Sequence, residues 1–206
     1  MDLGLTNATA VVVGGGRGMG LASARCLADD GARVAVVARS RADLDRAAQD
    51  LTRRGSPDAF GLVADIRDAG QVDSAFAELA QRWDGELNVL INAVGPSVLG
   101  DFEALNDEQW RQAVDEGVMG MVHCVRSALP LLRKVEWGRI INFSPLLTAA
   151  KRRPARLYRR QSDGHEHLEE LVVVARQRRD SGQRRLAGRH RVGVAGRLGE
   201  VAGCRW

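Results

Sequence analysis

Five short apolar runs recur along the first 144 residues, at 8–14 (ATAVVVG), 32–39 (ARVAVVAR), 60–65 (FGLVAD), 87–95 (LNVLINAVG) and 138–144 (GRIINFS). This recurrence constrains the fold more than any other feature. Each run is rich in β-branched residues and continuous rather than alternating, as a strand buried on both faces requires. Between the runs lie helix-length segments with apolar spacing of three and four: LASARCLADD, DLDRAAQDLTRR, QVDSAFAELAQRW and the long DEQWRQAVDEGVMGMVHCVRSALPLLRK. Strands that alternate with helices run parallel, so the expected fold is α/β, a doubly wound parallel sheet in three α/β/α layers.

The first strand leads into Val13-Gly14-Gly15-Gly16-Arg17-Gly18-Met19-Gly20 and then directly into a helix. Glycine has a physical task there. The turn needs positive φ, a pyrophosphate must approach bare backbone, and the N–H groups opening the helix meet its negative charge. Strand, glycine turn and helix in that order indicate dinucleotide binding, against the alternative of a tight turn without ligand. By this reasoning Gly14, Gly18 and Gly20 should each reject valine, because a branched Cβ would both oppose positive φ and occupy the pyrophosphate's space, so that cofactor binding is lost with the fold retained.

The G-x-x-x-G-x-G spacing of Gly14, Gly18 and Gly20 resembles the short-chain dehydrogenase/reductase family, and further landmarks follow in order. Asp65, with Ile66, matches the family's adenine-contacting position after the third strand. Asn92-Ala93-Val94-Gly95 resembles its N-A-x-G motif, which supports the sheet and lines the cofactor channel. Trp110, Asp115 and Gly120 fall where the family's long central helix has W-x(4)-D-x-N-L-x-G. The resemblance covers about residues 5–145. It implies a Rossmann-type fold and an NAD(P)-dependent oxidoreductase moving hydride between a nicotinamide and a small carbonyl or alcohol. It also implies pairing of subunits through the long helix.

An acidic residue at the end of the second strand would hold the ribose 2′-OH of NAD and repel a 2′-phosphate. This chain has Ala38-Arg39-Ser40-Arg41 instead. Arg39 can pair with a phosphate, assisted by Ser40 and Arg17, so NADP is the expected cofactor and NAD the alternative. The competing reading makes Arg39 and Arg41 solvated charges at a helix start.

The resemblance implies a catalytic Tyr, a Lys four residues later that lowers its pKa, a Ser that hydrogen-bonds the substrate oxygen, and an Asn completing a proton relay. Counting from Trp110 puts the Asn position at Gly117, which has no side chain to offer. Where the family reads N-x-S-S this chain has Asn142-Phe143-Ser144-Pro145, leaving Ser144 as the candidate hydroxyl. Tyr158, the one tyrosine, stands at the expected distance, but Ser162 occupies the lysine position. A tyrosine without such help titrates near 10 and donates poorly at neutral pH. A catalytically impaired or non-enzymatic dinucleotide-binding protein is therefore the alternative function.

Charge divides the chain at the same place. Residues 1–150 hold 15 Lys+Arg against 20 Asp+Glu, while residues 151–206 hold 15 against 6, a net +9 that includes 14 arginines. The expected organisation is a dinucleotide-binding domain at 1–150 and a divergent basic tail at 151–206. The tail lacks the interleaved aromatics that stack on nucleic acid, and no apolar stretch approaches the ~20 residues that span a bilayer, so neither partner is expected. The three cysteines are odd in number and far apart, which suggests neither a disulfide framework nor a zinc site and fits a reducing cytoplasm. A change of reading frame near 145–158 accounts for the missing lysine, the charge jump and the lost strand pattern together. With GC-rich codons, a one-base shift from Leu157/Tyr158 onward is compatible with Y-x-x-x-K and a later V-x-S-P-G. A genuine, partly disordered tail is the alternative. In both cases the tail, whose substantial apolar run is LEELVVVA, is expected not to complete the sheet and to leave the 138–144 strand uncovered.

Overall fold

The computed structural model describes residues 4–95, 98 and 103–144, of Ser144 the backbone alone, and the backbone of 171–178 and 193–194. β1 (Thr9–Val13) is buried along its whole length, and its residues divide by parity. Val11 and Val13 belong to one core, Ala10 and Val12 to another, so each face of the strand meets protein. This two-sided burial is why the run is continuous rather than alternating. Full burial of a Val or Leu is worth about 1.5–3 kcal/mol, so a polar residue on either face would be costly.

β2 (Arg33–Ala38), β3 (Ala59–Val63), β4 (Val89–Asn92) and β5 (Trp137–Ser144) join β1 in the order β3-β2-β1-β4-β5, all parallel. α1 (Gly18–Asp29) and α2 (Arg41–Arg53) cover one face through Ala24, Leu27, Ala28, Leu44, Ala47 and Leu51. α3 (Ala69–Arg82) covers the other with Val72, Phe76 and Leu79. Beside it pack Cys124, Ala128 and Leu132 of α5 (Gly120–Leu132). The chain leaves β1 toward β2 on one side and returns to β4 on the other, so strand order reverses between β1 and β4. Ligands of open α/β sheets bind at such a switch point, beyond the carboxyl ends of the strands.

The long central segment forms one nearly continuous helix, as its spacing predicts, with an interruption the spacing did not reveal. Between α4 (Asp107–Val114) and α5 the turns widen into a π segment, Asp115–Met119. Asn106 starts α4 with a reciprocal cap, its side chain accepting from Gln109 N at 3.0 Å while Gln109 Oε1 accepts from Asn106 N at 2.9 Å.

The edge beyond β5 is not left open. β6 (Leu171–Arg178) pairs antiparallel with β5 from Trp137↔Arg178 to Ser144↔Leu171, and β7 (Gly193–Val194) pairs antiparallel with β6. This corrects the expectation of an uncovered strand. The run Leu171-Val172-Val173-Val174 is β-branched enough to form a strand, and pairing with β5 satisfies a row of backbone groups. The parallel sheet still stops at β5, because the added strands run the other way. Cys26 on α1 is disulfide-bonded, a pairing the cysteine count did not anticipate.

Candidate functional site

The turn from β1 to α1 is built by glycines that do different work. Gly14 has φ +79°, its N–H donates to Val37 O at 2.8 Å, and a Cβ there would lie 2.5 Å from Ala93 O. At Gly20 a Cβ would collide with Gly14 O, so α1 can seat this close to the strand exit only without a side chain. Gly18 has φ +56° with nothing within 4 Å of where its Cβ would stand. Only Gly18 combines positive φ with open ground; Gly14 and Gly20 are held by protein contacts, and Gly20 lacks a positive φ, which corrects the expectation that all three would reject valine through φ and pyrophosphate room with the fold retained. α1 begins with Arg17 as an extended N-cap, without a side-chain cap and without acid in its first turn. Its opening N–H groups and positive dipole end are thus left to an anion. Arg17 and Met19 are exposed on this rim.

At the end of β2, Arg39 is exposed. Ser40 has a structural duty as well, since its Oγ accepts from Asp43 N at 3.3 Å and caps α2. Hydrogen bonds from Arg46 and Ser40 hold the Asp43 carboxyl below its ordinary range, and the charge of Arg17 adds to this.

Asp65 follows β3. The Arg67 guanidinium holds its carboxyl below the ordinary range against the opposing effect of burial. Arg67 also reaches toward Glu116 on the π segment, Nη1 to Oε1 at 3.7 Å. Ile66 packs against Gly120, whose missing side chain makes the room. His123 Nδ1 lies 2.9 Å from Ile66 O. Since a carbonyl only accepts, that nitrogen carries the proton. The loop after β3 is thereby tied to the central helix at three points.

Asn92, 1% exposed, ends β4. Its Nδ2 donates to Asn142 Oδ1 at 2.7 Å, while its own Oδ1 is buried with no partner among the described residues. Ala93 N donates to Val13 O at 2.8 Å, and Gly95 is exposed just beyond.

The fold thus brings Gly14–Gly20, Arg39–Ser40, Asp65–Ile66 and Asn92–Gly95 together at the carboxyl ends of β1–β4. The backbone of Ser144 closes β5 at the same end, Tyr158 lies outside the described residues, and Gly117 sits inside the π segment. Arg67, Glu116 and His123 were missed by the sequence reading. The Asp-x-Arg spacing of residues 65–67 was the available signal for the first; nothing local marks the other two. Among the described residues no cluster of His, Cys, Asp and Glu could hold a metal, and no helix is long and apolar enough to cross a membrane.

The sequence profile described as short chain dehydrogenase matches residues 8–158. The chain is 29% identical over 142 residues to the 3-oxoacyl-[acyl-carrier-protein] reductase FabG of Staphylococcus aureus, covering 68% of this chain and 57% of that protein. It is 34% identical over 150 residues to the galactitol 2-dehydrogenase (L-tagatose-forming) of Cereibacter sphaeroides, covering 73% and 57%. Among solved structures, L-sorbose reductase from Gluconobacter frateurii, complexed with NADPH and L-sorbose, superposes with a TM-score of 0.64 at 28% identity, covering 69% and 54%. The chain spans a little over half the length of the curated relatives it matches.

Proposed function

Because the chain belongs to the short chain dehydrogenase family, we propose that it is an NADP(H)-dependent oxidoreductase acting between the nicotinamide and a small carbonyl or alcohol. The observation that carries this reading is the β1–α1 turn. At Gly18 a positive φ and open space meet an uncapped helix start, which is the room and the polarity a pyrophosphate needs. When bound, the cofactor supplies or accepts the hydride; the protein supplies grip and orientation. Gly14, Gly18, Met19 and Gly20 form the pyrophosphate cradle. Arg39, with Arg17 and Ser40, meets a 2′-phosphate. Asp65 and Ile66 hold the adenine, and Asn92, Ala93 and Gly95 line the channel toward the nicotinamide.

For catalysis, Tyr158 protonates the substrate oxygen and Ser144 hydrogen-bonds it. Residues 1–150 act as the dinucleotide-binding unit and 151–206 as a basic tail. A second copy of the chain is the natural partner for the exposed Val114 and Met119 on the central helix.

A second reading, binding without turnover, is favoured by Gly117 and Ser162 at the positions where the relay Asn and the Lys would stand. Calorimetry of the full chain with NADPH and NADH tests the cofactor reading, which fails if neither binds. Turnover of ketones with NADPH separates an enzyme from a binding protein. Sequencing the encoding DNA across codons 140–165 tests the change of frame.

A further inference from the structure

The corner between the glycine turn and the end of β2 is bordered by an acid. A Cβ at Gly16 would lie 3.3 Å from Cβ of Asp43 and 3.4 Å from Cβ of Ala38. Asp43, in the first turn of α2, and the residue before Arg39 therefore both close on that glycine. The backbone N–H of Asp43 donates to Ser40 Oγ at 3.3 Å, which fixes its place beside the end of β2. Arg17 follows Gly16 directly, and its charge reaches the Asp43 carboxyl. Oδ1 of Asp43 also accepts from Arg46 Nη2, one turn along α2, where the arginine side chain is 76% exposed. An acid in a first turn serves the helix dipole wherever it stands. Here it also borders the ground read as an anion site.

We propose that Asp43 is a specificity-determining residue that moderates the preference for a 2′-phosphate, and that Arg46 sets how strongly it does so by neutralising part of the carboxylate's charge. The proposal rests on the cofactor reading above, which uses Arg17, Arg39 and Ser40 but not Asp43. A phosphate monoester brings about 1.5–2 negative charges into this corner, whereas a ribose hydroxyl brings none. The carboxylate thus repels one cofactor and not the other, and it competes with the phosphate for Arg17. The guanidinium of Arg46 offsets part of that repulsion. Preference is graded as a result: Arg17 and Arg39 pull toward NADPH, while a partly neutralised acid keeps NADH within reach.

The test is calorimetric binding of NADPH and NADH to the full-length chain. Asp43→Asn keeps the shape of the side chain and leaves the α2 cap in place, because the cap uses the backbone N–H of residue 43. It should raise the preference for NADPH about fivefold, the order of one unit charge acting across a few ångströms of solvated surface. The affinity for NADH should change little. The gain should shrink at about 1 M salt, where the screening length falls to ~3 Å. Arg46→Gln, at an exposed position, should lower the preference for NADPH, and it stands in if the first variant does not fold. In the Asp43→Asn background Arg46→Gln should add nothing. The proposal is overturned, and the cofactor reading left standing, by any of four results: a preference unchanged or lowered in Asp43→Asn, a gain shared equally by both cofactors, a gain indifferent to salt, or an Arg46→Gln effect that survives without Asp43. A wild type that binds neither cofactor overturns both.

Discussion

Asn92 and Asn142 stand opposite each other on β4 and β5, joined by an Nδ2–H···Oδ1 hydrogen bond of 2.7 Å. The pair lies where the parallel sheet nears the site, and Asn92 is almost wholly buried. Removing one member of a buried pair leaves the other without its bond, at about 1–3 kcal/mol, whereas replacing both by apolar groups is nearly neutral. Asn142→Leu should therefore destabilise the fold, and Asn92→Leu/Asn142→Leu should cost less than the sum of the two single changes. Urea unfolding of the four proteins measures this; strict additivity would refute it.

The glycines of the β1–α1 turn should separate by phenotype. Gly18→Val should keep the fold and lose NADPH binding, because its side chain enters the open space and takes on a left-handed backbone strain of about 1–2 kcal/mol. Gly20→Val should fail to fold, because its Cβ strikes the Gly14 carbonyl. Circular dichroism and calorimetry on both variants make the comparison. Normal NADPH affinity in Gly18→Val would rule out the cradle.

Arg39→Asp should reverse the preference between NADPH and NADH. An acid at the end of β2 accepts from a ribose hydroxyl and repels a 2′-phosphate. The change leaves the α2 cap intact, since Ser40 provides it. Equal affinity of the wild type for both cofactors would remove the role of Arg39.

Asp58, away from the site, governs part of the acid stability. Burial raises its pKa, but hydrogen bonds from Arg82 and from Trp83 Nε1, the latter at 2.7 Å, outweigh that and leave it lowered from 3.8. A carboxyl with a depressed folded pKa contributes stability above its unfolded value and loses it as pH falls. Asp58→Asn should thus be less stable than wild type by about 1.5–3 kcal/mol at neutral pH. The gap should narrow as pH falls through 3.8 toward the lowered folded value. A gap that is constant with pH would show that packing, not charge, is at work.

The parallel strands were legible because β1, β2 and β4 are covered on both faces, and continuous apolar runs such as Ala10-Val11-Val12-Val13 leave little alternative. Gly14, Gly18, Asp65 and Asn92 were legible as positions, since their spacing follows from the strand ends. The different duties of Gly18 and Gly20 were not, because a contact with Gly14 O depends on the seating of α1 rather than on local sequence. The π segment escaped for a related reason: one widened turn barely disturbs an apolar spacing of three and four. Arg67 and Glu116 are 49 residues apart, and charge patterning within a helix gives no hint of an ion pair between a loop and a helix.

The collision that a side chain at Gly20 would have with Gly14 O means that the pyrophosphate cradle is shaped by main chain touching main chain. Residues that would choose between cofactors, by contrast, act through side chains at the end of β2. Grip and choice are therefore separable quantities in this molecule. On the proposed reading, a substitution at Arg39 should retune which dinucleotide is preferred while the cradle keeps its dimensions, so a lineage of such chains could exchange one cofactor for another without first loosening its hold on either.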